Sequence, residues 1–145
     1  MSQKPFIALF PKPPEFNDEV VIKGKIKDDA SVFSVNFCLD CCPKPSFVAY
    51  HFKTVFDSNS VVHNFKSGTW QDEIHEENTW IDGPGQSFVL TFLFTDSDIT
   101  VYTEDQGRCY QYAFTHKFDI NDIRSVQIWD DYEYVSEIIF RMKTN

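Results

Sequence analysis

The stretch FVLTFLFTDSDITVYTEDQG, residues 88–107, carries the clearest fold signal in the chain. Apolar runs at 88–95 and 99–104 are each followed by a short polar segment, at 96–98 and 105–107. Phe, Val, Ile and Thr favour strands, whereas Asp, Ser and Gly favour tight turns. The stretch therefore predicts two short antiparallel strands joined by a turn. The core positions expected on the first strand are Phe88, Leu90, Phe92 and Phe94.

The same spacing of strands and turns continues on both sides of this stretch. In Ser31–Cys38 (SVFSVNFC), alternate positions are apolar, which predicts that Phe33, Val35 and Phe37 share a buried face. The other predicted strands are Glu19–Ile26, Ser46–Val55, Val61–Phe65, Trp70–Glu76, Cys109–Thr115, Ser125–Asp130 and Tyr134–Met142. Helix signals are nearly absent, the best being a turn at Ile120–Ile123. About ten short strands without a long helix predict an all-β, two-sheet antiparallel sandwich.

Composition limits the partners and the compartment. A chain of 145 residues with 42% hydrophobic residues suits one domain, here 1–145 with 1–18 as an N-terminal extension. The formal net charge of −9 disfavours nucleic acid and anionic membranes. The apolar run Phe6–Phe10 is too short for a secretory leader, and no run is long enough to span a membrane. We therefore expect a cytoplasmic protein.

The cysteines are Cys38, Cys41, Cys42 and Cys109. The segment CLDCC resembles half of a zinc site, but a second half of similar spacing is missing. We expect no metal and no cofactor, and reduced thiols, as is usual in the cytosol.

The order of the strands resembles the galectins from Val21 to Phe140. The segments that carry this resemblance are VIKGKI, SVFSVNF, VAYHFKTVF, VVHNF, a Trp followed three residues later by Glu, the stretch quoted above and the closing FTHKFDINDIRSVQIWDDYEYVSEIIF. The resemblance implies a jelly-roll sandwich with a sugar site on its concave face. It also implies glycans or glycoproteins as partners, and non-classical secretion as in galectins.

The family's site lies on three adjacent strands, and the first of these matches in part. His51 stands where the family has His, Lys53 where it has Asn, and Val55 where it has Arg. Residues i, i+2 and i+4 of a strand share a face, so these three side chains point the same way.

On the other two strands, Asn64, Trp70 and Glu73 match the family, and His75 replaces a second Arg. Trp70 lies three residues before Glu73, so a bend or bulge must bring both to one face. An indole offers a flat platform to a sugar ring, while carboxylate, imidazole and amide groups fix hydroxyl directions. The carbohydrate-binding residues expected are His51, Lys53, Val55, Asn64, Trp70, Glu73 and His75.

The departures from the family predict altered specificity. Val55 cannot donate to the axial hydroxyl of galactose, and a lost charged hydrogen bond costs about 1.5–3 kcal/mol. We therefore expect weak lactose binding, with Lys53 and His75, when charged, favouring an anionic sugar. Glu73 is expected to accept hydrogen bonds from the glycan, and His51, Asn64 and Lys53 to donate them.

Catalysis is disfavoured, because the adjacent Asp72 and Glu73 would point to opposite faces and cannot form a glycosidase acid pair. His63 has the opposite parity from Asn64 and should face away from the site. Trp80 and Trp129 are assigned to the core or rim.

Two functions stay open at this stage. The first is a lectin that holds a β-galactoside or an altered, anionic glycan. The alternative is a protein-interaction or structural domain that has lost lactose binding. An exposed sheet edge could also pair two copies as a homodimer.

Overall fold

The computed structural model describes residues 4–143, which form strands and a single short 3-10 helix. The first six strands are β1 Phe6–Leu9, β2 Glu19–Ile26, β3 Val32–Cys38, β4 Phe47–Val55, β5 Ser60–Ser67 and β6 Thr69–Trp70. The remaining strands are β7 Ile74–Glu77, β8 Ser87–Phe94, β9 Asp98–Glu104, β10 Arg108–Thr115, β11 Ser125–Asp130 and β12 Tyr132–Arg141. The helix, Ile120–Asp122, begins after Asp119, whose side chain accepts a hydrogen bond from the Asn121 N–H.

Within the described residues, these strands form two antiparallel sheets. The first sheet has the order β1-β11-β3-β4-β5, and β5 then pairs on its far side with both β6 and β7. The second sheet has the order β10-β9-β8-β2-β12. The predicted all-β sandwich is thus confirmed.

The core lies between the two sheets and consists largely of aromatic rings. The predicted core residues Phe33, Val35, Phe37, Phe88, Leu90, Phe92 and Phe94 are all buried. The rings of Phe37 on β3 and Phe92 on β8 meet edge to face, with centroids 4.9 Å apart. Such contacts add to the burial of apolar area and lock the two sheets together.

Two features differ from the predicted strand pattern. The strand predicted at Trp70–Glu76 is wrong as a continuous element: β6 ends at Trp70 and β7 begins at Ile74. The backbone is diverted because the Asn64 side chain donates to the Gln71 carbonyl, and the Gln71 N–H donates to the Phe65 carbonyl. In addition, Phe6–Leu9 of the predicted N-terminal extension pairs with β11 as a strand of the first sheet.

The four cysteines are unpaired; Cys38 is buried, whereas Cys41, Cys42 and Cys109 are exposed. Within residues 4–143 we find no group of three or more His, Cys, Asp and Glu side chains placed to hold a metal ion. No helix in this part of the chain has the length and apolar character needed to cross a membrane.

Candidate carbohydrate-binding site

The alternation of β4 separates core residues from site residues. Tyr50, Phe52 and Thr54 are buried toward the second sheet, whereas His51 and Lys53 lie half-buried on the outer face. A polar cleft of about 390 Å³ lies on this outer face. It is lined by Ser34, His51, Lys53, Asn64, Trp70, Gln71, Glu73 and Asp130.

Five of the seven predicted site residues line this cleft: His51, Lys53, Asn64, Trp70 and Glu73. The other two, Val55 and His75, do not. Val55 is the last residue of β4, opposite Ser60, and its apolar side chain offers no hydrogen bond. His75 lies beside the cleft, opposite Val62, and its Nε2 is 3.0 Å from Glu73 Oε1.

Trp70 forms an exposed aromatic wall of the cleft. The residue is 46% exposed, and its ring packs against His51 with centroids 4.6 Å apart. The ammonium group of Lys66 lies 5.4 Å from the centroid of the indole. An apolar ring of this size is usually buried, so one held at the surface by a histidine and a lysine has the character of a binding platform.

Toward a ligand, His51 is placed as a neutral acceptor and not as the donor that the sequence suggested. Its Nδ1 lies 2.5 Å from Asn36 Oδ1, and an amide oxygen can only accept, so Nδ1 carries the hydrogen. Burial, followed by the charge of Lys53, lowers the pKa of His51 to about 4. The imidazole is therefore uncharged at neutral pH, and its free Nε2 can accept a hydroxyl hydrogen.

Most of the hydrogen-bonding capacity of the Asn64 side chain is used by the backbone near the end of β5. It is only 3% exposed; its Oδ1 accepts from the Phe65 N–H, and its Nδ2 donates to the Gln71 carbonyl. One amide hydrogen remains for a ligand. Asn64 thus shapes the bend between Trp70 and Ile74, which lets Trp70 and Glu73 line the same cleft.

His63 faces away from the cleft, as its parity predicted. It is buried on the inner side of β5, where its Nδ1 is 2.7 Å from the Tyr50 hydroxyl and its Nε2 is 3.0 Å from Glu76 Oε2. Burial lowers the pKa of His63 to about 4, so the contact with Glu76 is a hydrogen bond to a carboxylate and not an ion pair.

Comparison with known proteins identifies the family to which this fold and this cleft belong. The sequence model of the family described as "Galactoside-binding lectin" matches residues 5–140. The chain belongs to this family. The galectin resemblance seen in the sequence is thereby confirmed.

Solved galectins have the same fold as this lectin domain. A single-substitution variant of human galectin-16 superposes with a TM-score of 0.79 at 20% identity, covering 95% of each chain. Sheep galectin-11 in complex with glycerol superposes with a TM-score of 0.78 at 18% identity, covering 95% of this chain and 98% of that chain.

A second cleft, of about 340 Å³, extends the candidate site toward β11, and sequence reasoning missed it. It shares Trp70 and His51 with the first cleft and adds Trp129, which had been assigned to the core or rim. The Trp129 Nε1–H donates to Gln127 Oε1 over 2.8 Å, and Gln127 Nε2 donates to the Cys42 carbonyl over 2.7 Å. These bonds fix a second indole in the groove.

Asp130 is the other residue that the sequence did not single out. It lines both clefts and accepts a hydrogen bond from the Ser34 hydroxyl over 3.2 Å. Burial raises the pKa of its carboxyl group. On β11, Trp129 and Asp130 lie opposite Ser34 and Phe33 of β3, and β3 in turn borders β4. This strand register places the two residues beside the cleft.

Proposed function

We propose that this lectin holds a glycan non-covalently on the outer face of the seven-stranded sheet, with a sugar ring stacked on Trp70. The observation that carries the proposal is the exposed Trp70 ring at the wall of a cleft lined by polar groups. An aromatic face suits the apolar side of a sugar ring, and the surrounding groups suit its hydroxyls.

Each polar group has a defined part in this binding. Glu73 and Asp130 accept hydrogen bonds from hydroxyls, and the free Nε2 of His51 accepts a further one. Lys53 and the remaining amide hydrogen of Asn64 donate. The set is mostly preformed, since His51 and Asn64 are already fixed by protein hydrogen bonds.

The preferred ligand is an anionic glycan, such as a sulfated or sialylated β-galactoside. Three lysines, Lys44, Lys53 and Lys66, line the joined clefts or flank Trp70, against the carboxylates of Glu73 and Asp130. Plain lactose binds weakly, because Val55 supplies no donor. The binding is without turnover.

A protein-interaction role is the second candidate, and Val55 is the observation that favours it. A galectin fold without either of the family's site arginines has lost two charged donors toward galactose. In that case Trp70 is an anchor for a protein partner, and no glycan competes for the cleft.

An array of neutral and anionic glycans, with lactose included, tests the proposal. The best ligand is then titrated calorimetrically into the parent and into Trp70→Ala, which should abolish binding. Because Trp70 is exposed, the variant should remain folded, and the control Tyr134→Ala removes a similarly exposed ring on the second sheet. If no glycan binds the parent, or if Trp70→Ala binds as tightly as the parent, glycan binding is rejected.

A further inference from the structure

Strand β7 lies next to the proposed glycan site, and it is an edge strand that pairs with one neighbour. His75 lies in β7 and Glu73 directly precedes it. All four residues of β7 are exposed, and the strand pairs only with β5 among the described elements. Residues 71–73 lie outside any strand. A four-residue edge ladder alone would leave the direction of Glu73 poorly fixed.

One side chain ties this segment to the interior. Glu76 lies opposite Val61, on the inner side of β7, and its Oε2 accepts from His63 Nε2 over 3.0 Å. Within residues 4–143, no other side chain of the segment 72–77 hydrogen-bonds outside that segment. Besides the backbone ladder between β7 and β5, the segment is flanked by backbone hydrogen bonds at Gln71 and at Asn78.

His63 is itself held rigidly from three sides. Its ring is stacked against Tyr112 of the second sheet, with centroids 3.7 Å apart and planes 13° apart. Its Nδ1 accepts from the hydroxyl of the fully buried Tyr50 over 2.7 Å. Because a carboxylate only accepts, Nε2 carries the hydrogen toward Glu76. A continuous hydrogen-bonded chain therefore runs from the core to β7.

We propose that Glu76 is a positioning residue for the glycan site, because its hydrogen bond to His63 sets the orientation of β7 and thereby aims Glu73 at the cleft and holds His75 beside it. Neighbouring residues of a strand point to opposite faces, so fixing the inward Glu76 fixes the outward His75. The inference rests on the proposed glycan binding. It implies that His63, on the inner side of β5, contributes indirectly to glycan recognition.

Three variants test this role. Glu76→Ala removes the tie, and Glu76→Gln keeps an oxygen that accepts from His63. Glu137→Ala removes the same charge from an exposed carboxylate near Lys23 on the second sheet. Hydrogen exchange of the amides of residues 74–77 reports strand order, and titration with the best glycan from the array reports affinity.

Glu76→Ala should speed exchange at 74–77 and lower glycan affinity about tenfold. This is the order expected when one charged hydrogen bond, here from the glycan to Glu73, is weakened. Glu76→Gln should restore both readouts, and Glu137→Ala should match the parent. A simple loss of stability would show as faster exchange throughout the sandwich.

A double-mutant cycle assigns the effect to the contact itself. In a His63→Leu background, Glu76→Ala should cause no further loss of affinity. Unchanged exchange in Glu76→Ala, or faster exchange with unchanged affinity, overturns the inference while leaving glycan binding intact. If the parent binds no glycan, the proposed function fails, and the exchange data alone then support or overturn the strand-holding role of Glu76.

Discussion

Burial of His63 makes the stability of the sandwich depend on pH in a defined window. Its pKa is about 4 in the fold, against an ordinary value of 6.5. As the pH falls, the unfolded chain takes up this proton first, so the stabilisation is complete above the ordinary value and is lost as the pH approaches the folded one. Between about pH 7 and about pH 5, this single side chain should cost about 2 kcal/mol of unfolding free energy.

His51 acts in the same direction, because burial and Lys53 also lower its pKa to about 4. The charge of His63 also contributes to lowering the pKa of His51, so the two losses are coupled, and together they should amount to between about 2 and about 4 kcal/mol over the same window. Glu76 and Asp130, whose pKa values burial raises, act in the opposite direction and offset part of this loss. A net loss of this size is a large part of a domain's stability of about 5–15 kcal/mol.

Urea unfolding followed by circular dichroism at the two pH values measures the effect. His63→Gln keeps a donor for Glu76 and an acceptor for Tyr50 but does not titrate. It should therefore lose about 2 kcal/mol less than the parent between about pH 7 and about pH 5. His51→Gln should also show a reduction, and the double variant a larger one than either single variant. Equal pH dependence in His63→Gln and the parent would refute the role assigned to His63.

Other predictions concern the ligand and the thiols. Val55→Arg should raise lactose affinity about tenfold in a calorimetric titration, since it supplies a charged donor. Trp129→Ala should weaken binding of a glycan long enough to span both clefts, while disaccharide affinity stays unchanged in the same titration. Lys66→Gln should reduce the fall in affinity for a sulfated glycan as salt is raised. Reductant should leave the thermal midpoint unchanged, because the fold leaves all four cysteines unpaired; a large shift would contradict this.

The fold could be predicted from the sequence because strand periodicity is a local property. In Phe88–Phe94 and Phe33–Phe37, the alternate positions predicted for the core are buried; between Phe33 and Phe37 the intervening Ser34 and Asn36 are buried too. The bounds of Glu19–Ile26 and Ser125–Asp130 were also predicted to the residue. Turn residues and apolar alternation suffice for these strands, since a strand of a sandwich core buries one face whatever its partner.

The division between β6 and β7 depended instead on a tertiary hydrogen bond. The spacing of Trp70 and Glu73 indicated a bend or bulge, but nothing within residues 70–76 marks where the strand breaks. The break follows from Asn64, which lies on a different strand and draws the Gln71 carbonyl out of the ladder. A side chain several residues away thus decided how Trp70 and Glu73 reach one cleft.

Trp129 and Asp130 show where motif reasoning stops. The family motif covers β4, β5 and the segment from Trp70 to His75, and sequence alternation assigns faces only within one strand. That β11 lies beside β3, and so two strands from His51, is a fact of sheet order that no local pattern contains. Because the family's arginines are absent from the motif strands, Trp129 and Asp130 on this uncovered side should contribute to distinguishing one glycan from another. Specificity in this lectin should therefore be sought in the groove between Trp70 and Trp129, and not at the altered galactose contacts alone.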